Sequence, residues 1–588
     1  MALHSVTQIF IGGVEIKSFK RFTLHQQIDA HHMLELVCRM DVLEEMSGAL
    51  GDRSKNFLGE TLSLQISSLD KFKGYEALEF KGVVVNVRTI KGSFQSGGDQ
   101  IIIKAESPTF LADDGGHYAS FNEMKLSEVI DNIYQSYDKS KLELSVEPID
   151  DKTLLYSVQQ NESTYEYTSR LAAQYGEWFY YDGKKLIFGK PGEKELTLKY
   201  GYDLKEYQME LLPRPHNYKF LAQDYLLDEV HEKDAKEESA GGEGYNGFVN
   251  NKAKEIFNSE RIVWHAPYND NTAKNRLDGS IALQKKAIEI QQVKVSGRSD
   301  NPGVSLGNII SIDGERYRVT NVTHTNGENG NYTNHFEAVT AAFDAYPNTD
   351  IQAFPKSESQ SAKVIDNADP EGLGRLKVQF AWQKPTGGST PWIRTMAPHA
   401  GGDKGFHFIP EIDEEVLVGF EGGNAENPYV LGSIYHGSAK PDSWKTDTND
   451  IKAIRTRSGH TLSFDDTNGA ETITLSDKNG NTMTFDTVNK AITISAPDTI
   501  TLSSTTVNIN ASDTVNIDGT NKVNVTSTEI FNEGTSKVIL NSPAKVEIKA
   551  MDSQMEGTAQ LKMKGAMVDI NGDAMTNVKG GLLNLNCG

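Results

Sequence analysis

Up to about residue 450 the apolar positions come in short alternating runs; beyond it they return at a fixed, longer interval. Leu62, Leu64 and Ile66 alternate with polar neighbours, as do Val83, Val85 and Val87, and Ile101 to Ile103 form a short apolar run, so residues 1–110 read mostly as strands. In residues 121–137, Met124, Val129, Ile130, Ile133, Tyr134 and Tyr137 stand three and four apart, which predicts a helix. A second helix is better marked. Ser163 and Glu166 form a capping-box pattern, Tyr167, Leu171 and Tyr175 repeat at four-residue steps, and Gly176 supplies a stop. A hairpin over 178–188 follows, turning at Asp182-Gly183. Residues 224–243 carry eight acids and two lysines and read as a solvated, mobile loop. Strands resume over 294–336, and residues 347–362 read as a linker. In residues 363–440, alternation at Leu376, Val378 and Phe380, a run from 392 to 396, alternation at Phe406 and Phe408, and runs over 416–420 and 429–435 give five short strands. That number in so short a span suits a small closed barrel of the OB type.

The tail has another character. From Thr456 onward the only aromatic residues are Phe464, Phe485 and Phe531. Thr506-Val-Asn-Ile509, Thr514-Val-Asn-Ile517 and Lys522-Val-Asn-Val525 recur at a period of eight, and apolar-polar-apolar triplets continue at intervals near seven, eight or their multiples to Leu583 and Leu585. Each triplet is a short strand with one apolar face, and the intervening Asn, Asp, Ser, Thr and Gly turn a corner. Such a strand exposes backbone donors and acceptors that a neighbouring strand must pair. Three chains wound about a common axis do this with eight residues per face; a single-chain solenoid and an irregular sandwich are the alternatives, and the intertwined trimer is favoured because solenoid coils ordinarily need longer repeats. At about 4.8 Å per unit, roughly 12 units over 490–586 give a prism about 60 Å long. Val507, Ile509, Val515, Ile517, Val523 and Val525 are then expected on its axis, too narrow for Trp. Residues 459–494, with Asn-Gly turns at 468–469 and 479–480, read as hairpins feeding the prism.

Charge narrows the partners. With 59 Lys and Arg against 81 Asp and Glu, the formal net charge is −22, spread along the chain at nearly uniform density. So acidic a surface argues against nucleic acid and anionic membranes as binding partners. Cys38 and Cys587 are the two cysteines, so no disulfide framework or Cys-rich zinc module is expected. No apolar run approaches the ~18 residues of a membrane span, and the N-terminus lacks the pattern of a signal peptide, so the chain reads as a cytoplasmic product that would leave the cell without an N-terminal signal.

Candidate chemistry is sparse, and no cofactor or metal is expected. Gly242-Glu-Gly-Tyr-Asn-Gly247 matches GxGxxG but follows acidic residues instead of a strand. His231-Glu232 lacks the second histidine of HExxH, and neither His31-His32 nor His399 with His407 has an evident third ligand. The runs from Asp466 and Asp477 begin like calcium loops without the glutamate at position 12, so turns are preferred. No P-loop occurs.

Asp369-Pro-Glu-Gly-Leu-Gly-Arg-Leu-Lys-Val-Gln-Phe380, Trp392-Ile-Arg394, Gly405-Phe-His-Phe-Ile-Pro410, Glu414-Glu-Val-Leu-Val-Gly-Phe420 and Asn427-Pro-Tyr-Val-Leu-Gly-Ser-Ile-Tyr435 together resemble the OB domain of VgrG spike proteins. Asn161-Glu-Ser-Thr-Tyr-Glu-Tyr-Thr-Ser-Arg-Leu-Ala172 with Gly176-Glu-Trp-Phe-Tyr-Tyr181 resembles the hub of that family, and the tail from Arg455-Thr-Arg-Ser-Gly-His-Thr-Leu462 its needle. The resemblance implies a mainly β chain: a hub of two β-barrel-like domains (1–110 and 201–350) with an α/β insert (111–200), an OB-fold (363–440) and an intertwined trimeric β-helix needle (450–588). It implies a non-enzymatic homotrimer that caps Hcp tube rings of a type VI secretion system, contacts baseplate proteins, carries effectors, punctures a target envelope without stable membrane insertion, and takes a PAAR-repeat tip. The expected tip-docking residues are Leu583, Asn584, Leu585, Asn586, Cys587 and Gly588. With only residues 436–455 between barrel and needle, and the chain ending just after the last triplet, no room for a catalytic domain is expected. The runner-up is the spike of an extracellular contractile injection particle or phage-like tail. Alternatives of other classes are a cell-envelope hydrolase, which requires clustered carboxylates in a compact domain, and an OB-fold nucleic-acid binder, which requires basic grooves with aromatic platforms.

Overall fold

The computed structural model describes residues 5–43, 53–69, 75–92, 98–238, 241–266 and 272–586. It comprises two units, Met1–Asp447 and Thr448–Gly588.

In the first unit, strands from residues 5–106 and from 195–340 join one large sheet, with thirteen strands among the described residues. The seam is the antiparallel pair Arg21–Gln27 and Glu315–Gly327, in which Thr323 faces His25. The two barrel-like halves expected of a hub are thus continuous across one ladder. Alternation drives this: Phe22 and Leu24 on one strand, Leu34 and Leu36 on the next, and Val322 and Phe336 beyond the seam point into one core and are essentially inaccessible to water. Over that core lies an α/β layer. Its helix Thr164–Tyr175 has the expected capping box: Ser163 Oγ accepts from Glu166 N at 3.1 Å and Glu166 Oε2 from Ser163 N at 2.8 Å. Gly176 ends the helix at φ 70°, in the left-handed region that favours glycine. The hairpin Trp178–Tyr181 with Lys185–Gly189 follows as expected.

Three expectations are corrected. The helix read over 121–137 occupies only Leu126–Ile133; its first residues belong to the strand His117–Lys125, paired with Thr153–Glu162, so Phe121 and Met124 pack from a ladder. A cross-strand partner more than 25 residues away overrode the local three-and-four spacing. The acidic stretch 224–243 is not a loop. Tyr218–Asp224 and Glu229–Asp234 form an antiparallel pair, and the helix Gly244–Ile256 begins where the loop was expected to end. Its charges are matched locally: Lys219 pairs with Glu232 at 2.5 Å, Lys233 with Glu238 at 3.0 Å, and the buried Asp224 meets His231 at 3.1 Å. A further helix, Ala273–Ile290, packs Leu277 and Ile281 against Phe220 and Ala222 of this pair. Residues 347–362, read as a linker, also pack down; Ile351 is buried and its N–H donates to Gln284 Oε1 at 3.1 Å.

The OB barrel opens with a strand missed by the pattern, Gln360–Asp366, which lies between Lys377–Phe380 and Glu415–Phe420, the latter pairing with Pro428–Ser433. Val364, Val378, Phe380, Ile393, Val416, Val418 and Val430 fill it. Residues 392–396 enter only through single bridges, and Phe406 and Phe408 lie exposed outside any strand, in place of the two strands expected there.

The second unit begins with an antiparallel meander of Ile451–Arg455, Thr461–Asp465, Thr472–Ser476, Thr482–Asp486 and Ala491–Ser495. Its turns use the suspected calcium-loop residues: Asp477 Oδ1 accepts from Asn479 N at 2.8 Å and from Asn481 N at 3.0 Å, and Gly480 sits at φ 90°. From 496 to 586 the chain bends every seven or eight residues and forms no ladder with any other of the described residues. At the bend before Lys522 a Cβ on Gly519 would lie 2.8 Å from the Lys522 carbonyl oxygen, so a side chain there would force the corner to shift.

Candidate functional site

The histidines that invited a metal reading are satisfied within the hub. In the buried chain that fits neutral imidazoles, Gln26 Nε2 donates to His32 Nδ1 at 3.2 Å and His324 Nε2 to Gln26 Oε1 at 3.0 Å. Tyr332 O–H donates in turn to His324 Nδ1 at 2.6 Å. Burial lowers both histidine pKa values to about 3. His31 meets Thr109 and packs on the Tyr165 ring, while His399 and His407 are exposed. Among the described residues no group of three or more His, Cys, Asp or Glu side chains is arranged to hold a metal ion. The GxGxxG match runs into the helix Gly244–Ile256 from an extended Glu243 at its N-cap and follows no strand of a βαβ unit, so it lacks the setting of a nucleotide site.

The polar residues that matter instead join the OB barrel to the hub, and the sequence reading missed them. Glu426, 5% exposed, reaches from the barrel into the hub, where its Oε1 accepts from Ser157 Oγ at 3.0 Å, Val158 N at 3.1 Å and Arg170 Nη1 at 3.4 Å. Arg170 also donates to both Glu162 oxygens, at 2.7 and 3.0 Å. Alongside, Gln383 Nε2 donates to Ser120 Oγ at 2.7 Å and Asn122 Nδ2 to the Ser389 carbonyl at 2.7 Å. The tip of the acidic hairpin closes the other side: Arg394 lies over the Tyr225 ring at 4.6 Å, and Arg375 is held by Asp369 at 2.8 Å. No local motif marks Glu426, because its partners lie more than 250 residues away.

Within the second unit, apolar side chains lie open among the described residues. The meander's register aligns Phe464, Ile473, Phe485 and Ile492 in one row and Ile454, Leu462, Leu475, Met483 and Ile494 in the next, all on one face. The opposite face is Thr-, Ser- and Asp-rich, including Ser463, Thr474, Thr484 and Thr493. On the apolar face Leu475, Ile492 and Ile494 are more than half exposed. Beyond it, the predicted axis residues are uncovered too, from Val515 at 50% to Ile517 at 72%, with Val507, Ile509, Val523 and Val525 between. Leu583, Asn584, Leu585 and Asn586 are likewise exposed, and Cys587 and Gly588 lie outside the described residues.

Comparison with known families covers these parts in order. A family model for the phage tail baseplate hub matches residues 47–330, one for the type VI secretion system/phage-baseplate injector OB domain matches 360–435, and one for the phage baseplate V C-terminal trimerisation domain matches 452–515. Among curated proteins, the actin cross-linking toxin VgrG1 of Vibrio cholerae is 30% identical over 136 residues and the type VI secretion system spike protein VgrG3 of the same species 34% over 116 residues. The chain belongs to the VgrG family of hub-and-spike proteins. The matched segments span 21% and 18% of this VgrG chain and only 12% and 11% of those two relatives. A chain of the half-lidded Francisella PdpA-VgrG complex shares the fold, with a TM-score of 0.53 at 9% identity over 84% of this chain and 88% of that one. As a VgrG chain, then, it carries hub, OB and trimerisation domains in the order its residues led us to expect. Among the described residues no helix is long and apolar enough to cross a membrane.

Proposed function

We propose that three copies of this chain form the spike of a type VI secretion apparatus, with the hubs capping a tube of Hcp rings and the tails wound into a rigid needle. The observation that carries this reading is the unpartnered tail: residues 496–586 have a strand-like alternation, exposed apolar side chains at every unit and no ladder among the described residues. Such backbone and such side chains both need a neighbour, and two further copies supply both needs with one geometry. A single-chain solenoid would pair successive coils of one chain, which is not the arrangement here. In this reading Val507, Ile509, Val515, Ile517, Val523 and Val525 pack on the three-fold axis, and residues 583–588 form the blunt end that takes a PAAR-repeat protein. The hub meets baseplate proteins, effectors travel with the spike, and the complex leaves the cytoplasm by expulsion without a signal peptide. The chain performs no catalysis; its work is mechanical.

The test is a chain cut after residue 447. Residues 1–447 should remain folded, with an undiminished near-ultraviolet signal from the buried Trp178 and Tyr167 core, but run as single chains, whereas the full chain runs as three. A stable trimer of the shortened chain would contradict the assignment of trimerisation to the tail.

A further inference from the structure

Winding three nearly identical repeats around one axis raises a problem of alignment. Thr506-Val-Asn-Ile509 and Thr514-Val-Asn-Ile517 are the same, so a chain displaced by one unit keeps every ladder hydrogen bond and every apolar contact in that stretch. Something must distinguish the correct alignment from the displaced one. The tail contains that information in the few positions where the inward face is polar.

Which face is inward follows from local contacts. Lys545 and Lys549 both pair with Glu547, each at 2.6 Å, so these three side chains share the wet face and Val546 and Ile548 share the other. Asn577 Nδ2 contacts Met575 Sδ at 3.7 Å, so Thr576 lies with Val578 on the opposite face. Phe531 is 88% exposed and Ile530 53%, so Asn532 shares the face of Ile530. Carrying this alternation through the twelve units from Ile500 to Leu585 gives two inward positions per unit. All are apolar except Asn532, Ser553 and Thr576. These fall in the fifth, eighth and eleventh units, at every third unit, which on a three-sided prism is one full turn.

We propose that Asn532, Ser553 and Thr576 form three polar layers on the needle axis that align the three chains residue for residue. The proposal rests on the trimeric reading. In the aligned needle each layer brings together three like polar side chains, which hydrogen-bond around the axis. A chain displaced by one or two units sets each of them against valine, leucine, isoleucine or methionine, where its polar atoms have no partner. Only a displacement of three units restores some of the matches, and that requires more than twenty residues to be looped out. The device is the counterpart of a single buried asparagine in a coiled coil, which gives up stability for a unique alignment.

The test uses the full chain with Cys38→Ala and Cys587→Ser, a nitroxide on Gln560→Cys, and pulsed electron spin resonance to read distances between copies. Gln560 precedes the inward Leu561 and faces outward. With the native axis one inter-chain distance is expected. In the variant N532V/S553V/T576V a second, longer distance should appear in at least a fifth of the pairs while the mass stays that of three chains, and restoring Asn532 alone should reduce that population at least twofold. A single distance in the triple variant would overturn the proposal. Single-chain mass for both proteins would instead show that the trimeric reading has failed, and the axial layers with it.

Discussion

At the scale of single residues, the side chains that decide the architecture are polar and buried. Glu426 is the clearest: three donors from the hub converge on one of its oxygens, and Arg170 couples it to Glu162. Glu426→Ala removes the acceptor these buried donors share, leaving Ser157 only Tyr167 and Arg170 Nη1 only Gln174, and should cost about 2–4 kcal/mol, read as a lower denaturation midpoint of the first unit. Arg170→Lys should recover little, because an ammonium cannot serve Glu162 and Glu426 with a planar fork. The histidine chain gives a pH dependence of known sign. His32 and His324 are held neutral by burial with pKa values near 3, against 6.5 for the free group. Above pH 6.5 neither folded nor unfolded chain is protonated there, and the stability is fully present; below it the unfolded chain takes up protons that the folded hub refuses. Stability should therefore fall from pH 6.5 toward 3, by up to about 1.4 kcal/mol per pH unit for each histidine. His324→Gln should flatten that slope in melting temperatures taken between pH 7 and 4. Asp369, whose burial opposes ionisation but whose Arg375 partner and backbone donors draw its pKa down to about 2, contributes in a separate window, lost only from about pH 3.8 downward.

At the scale of elements, what was legible depended on where the partner lay. The helix after Ser163 was legible because cap, stripe and stop lie within 14 residues of one another. The meander and the triplets were legible because alternation is a property of the strand itself. The strand at Phe121 was not, since its partner over 153–162 shares no local signal with it, and the acidic hairpin was not, since charge was weighed there without the buried alternation of Phe220, Ala222 and His231. The joint at Glu426 was out of reach for the same reason, as was the pairing of Phe464 with Ile473 and of Phe485 with Ile492 into one apolar sheet face. The triplets also carry a prediction. Val515→Asp puts three carboxylates near the needle axis, where each raises the pKa of the others, and should cost about 3–6 kcal/mol per trimer, seen as lost resistance to detergent at neutral pH and partial recovery below pH 5. The same substitution at outward Asn516 should leave detergent resistance unchanged.

At the scale of the whole molecule, the net charge of −22 per chain becomes three times that in the assembly, carried by hub and needle alike. In the proposed spike that field would discourage adhesion to anionic envelopes, a property suited to something driven past them. The hub and OB barrel are complete folds with their own cores; the tail is not, and its apolar surface and unpaired backbone are the reason a trimer is required. Mass in solution bears on this most directly. Light scattering coupled to size exclusion should give three times 64.9 kDa, about 195 kDa, for the full chain at micromolar concentration. A mass of one chain under the same conditions, with the tail intact, would contradict the account.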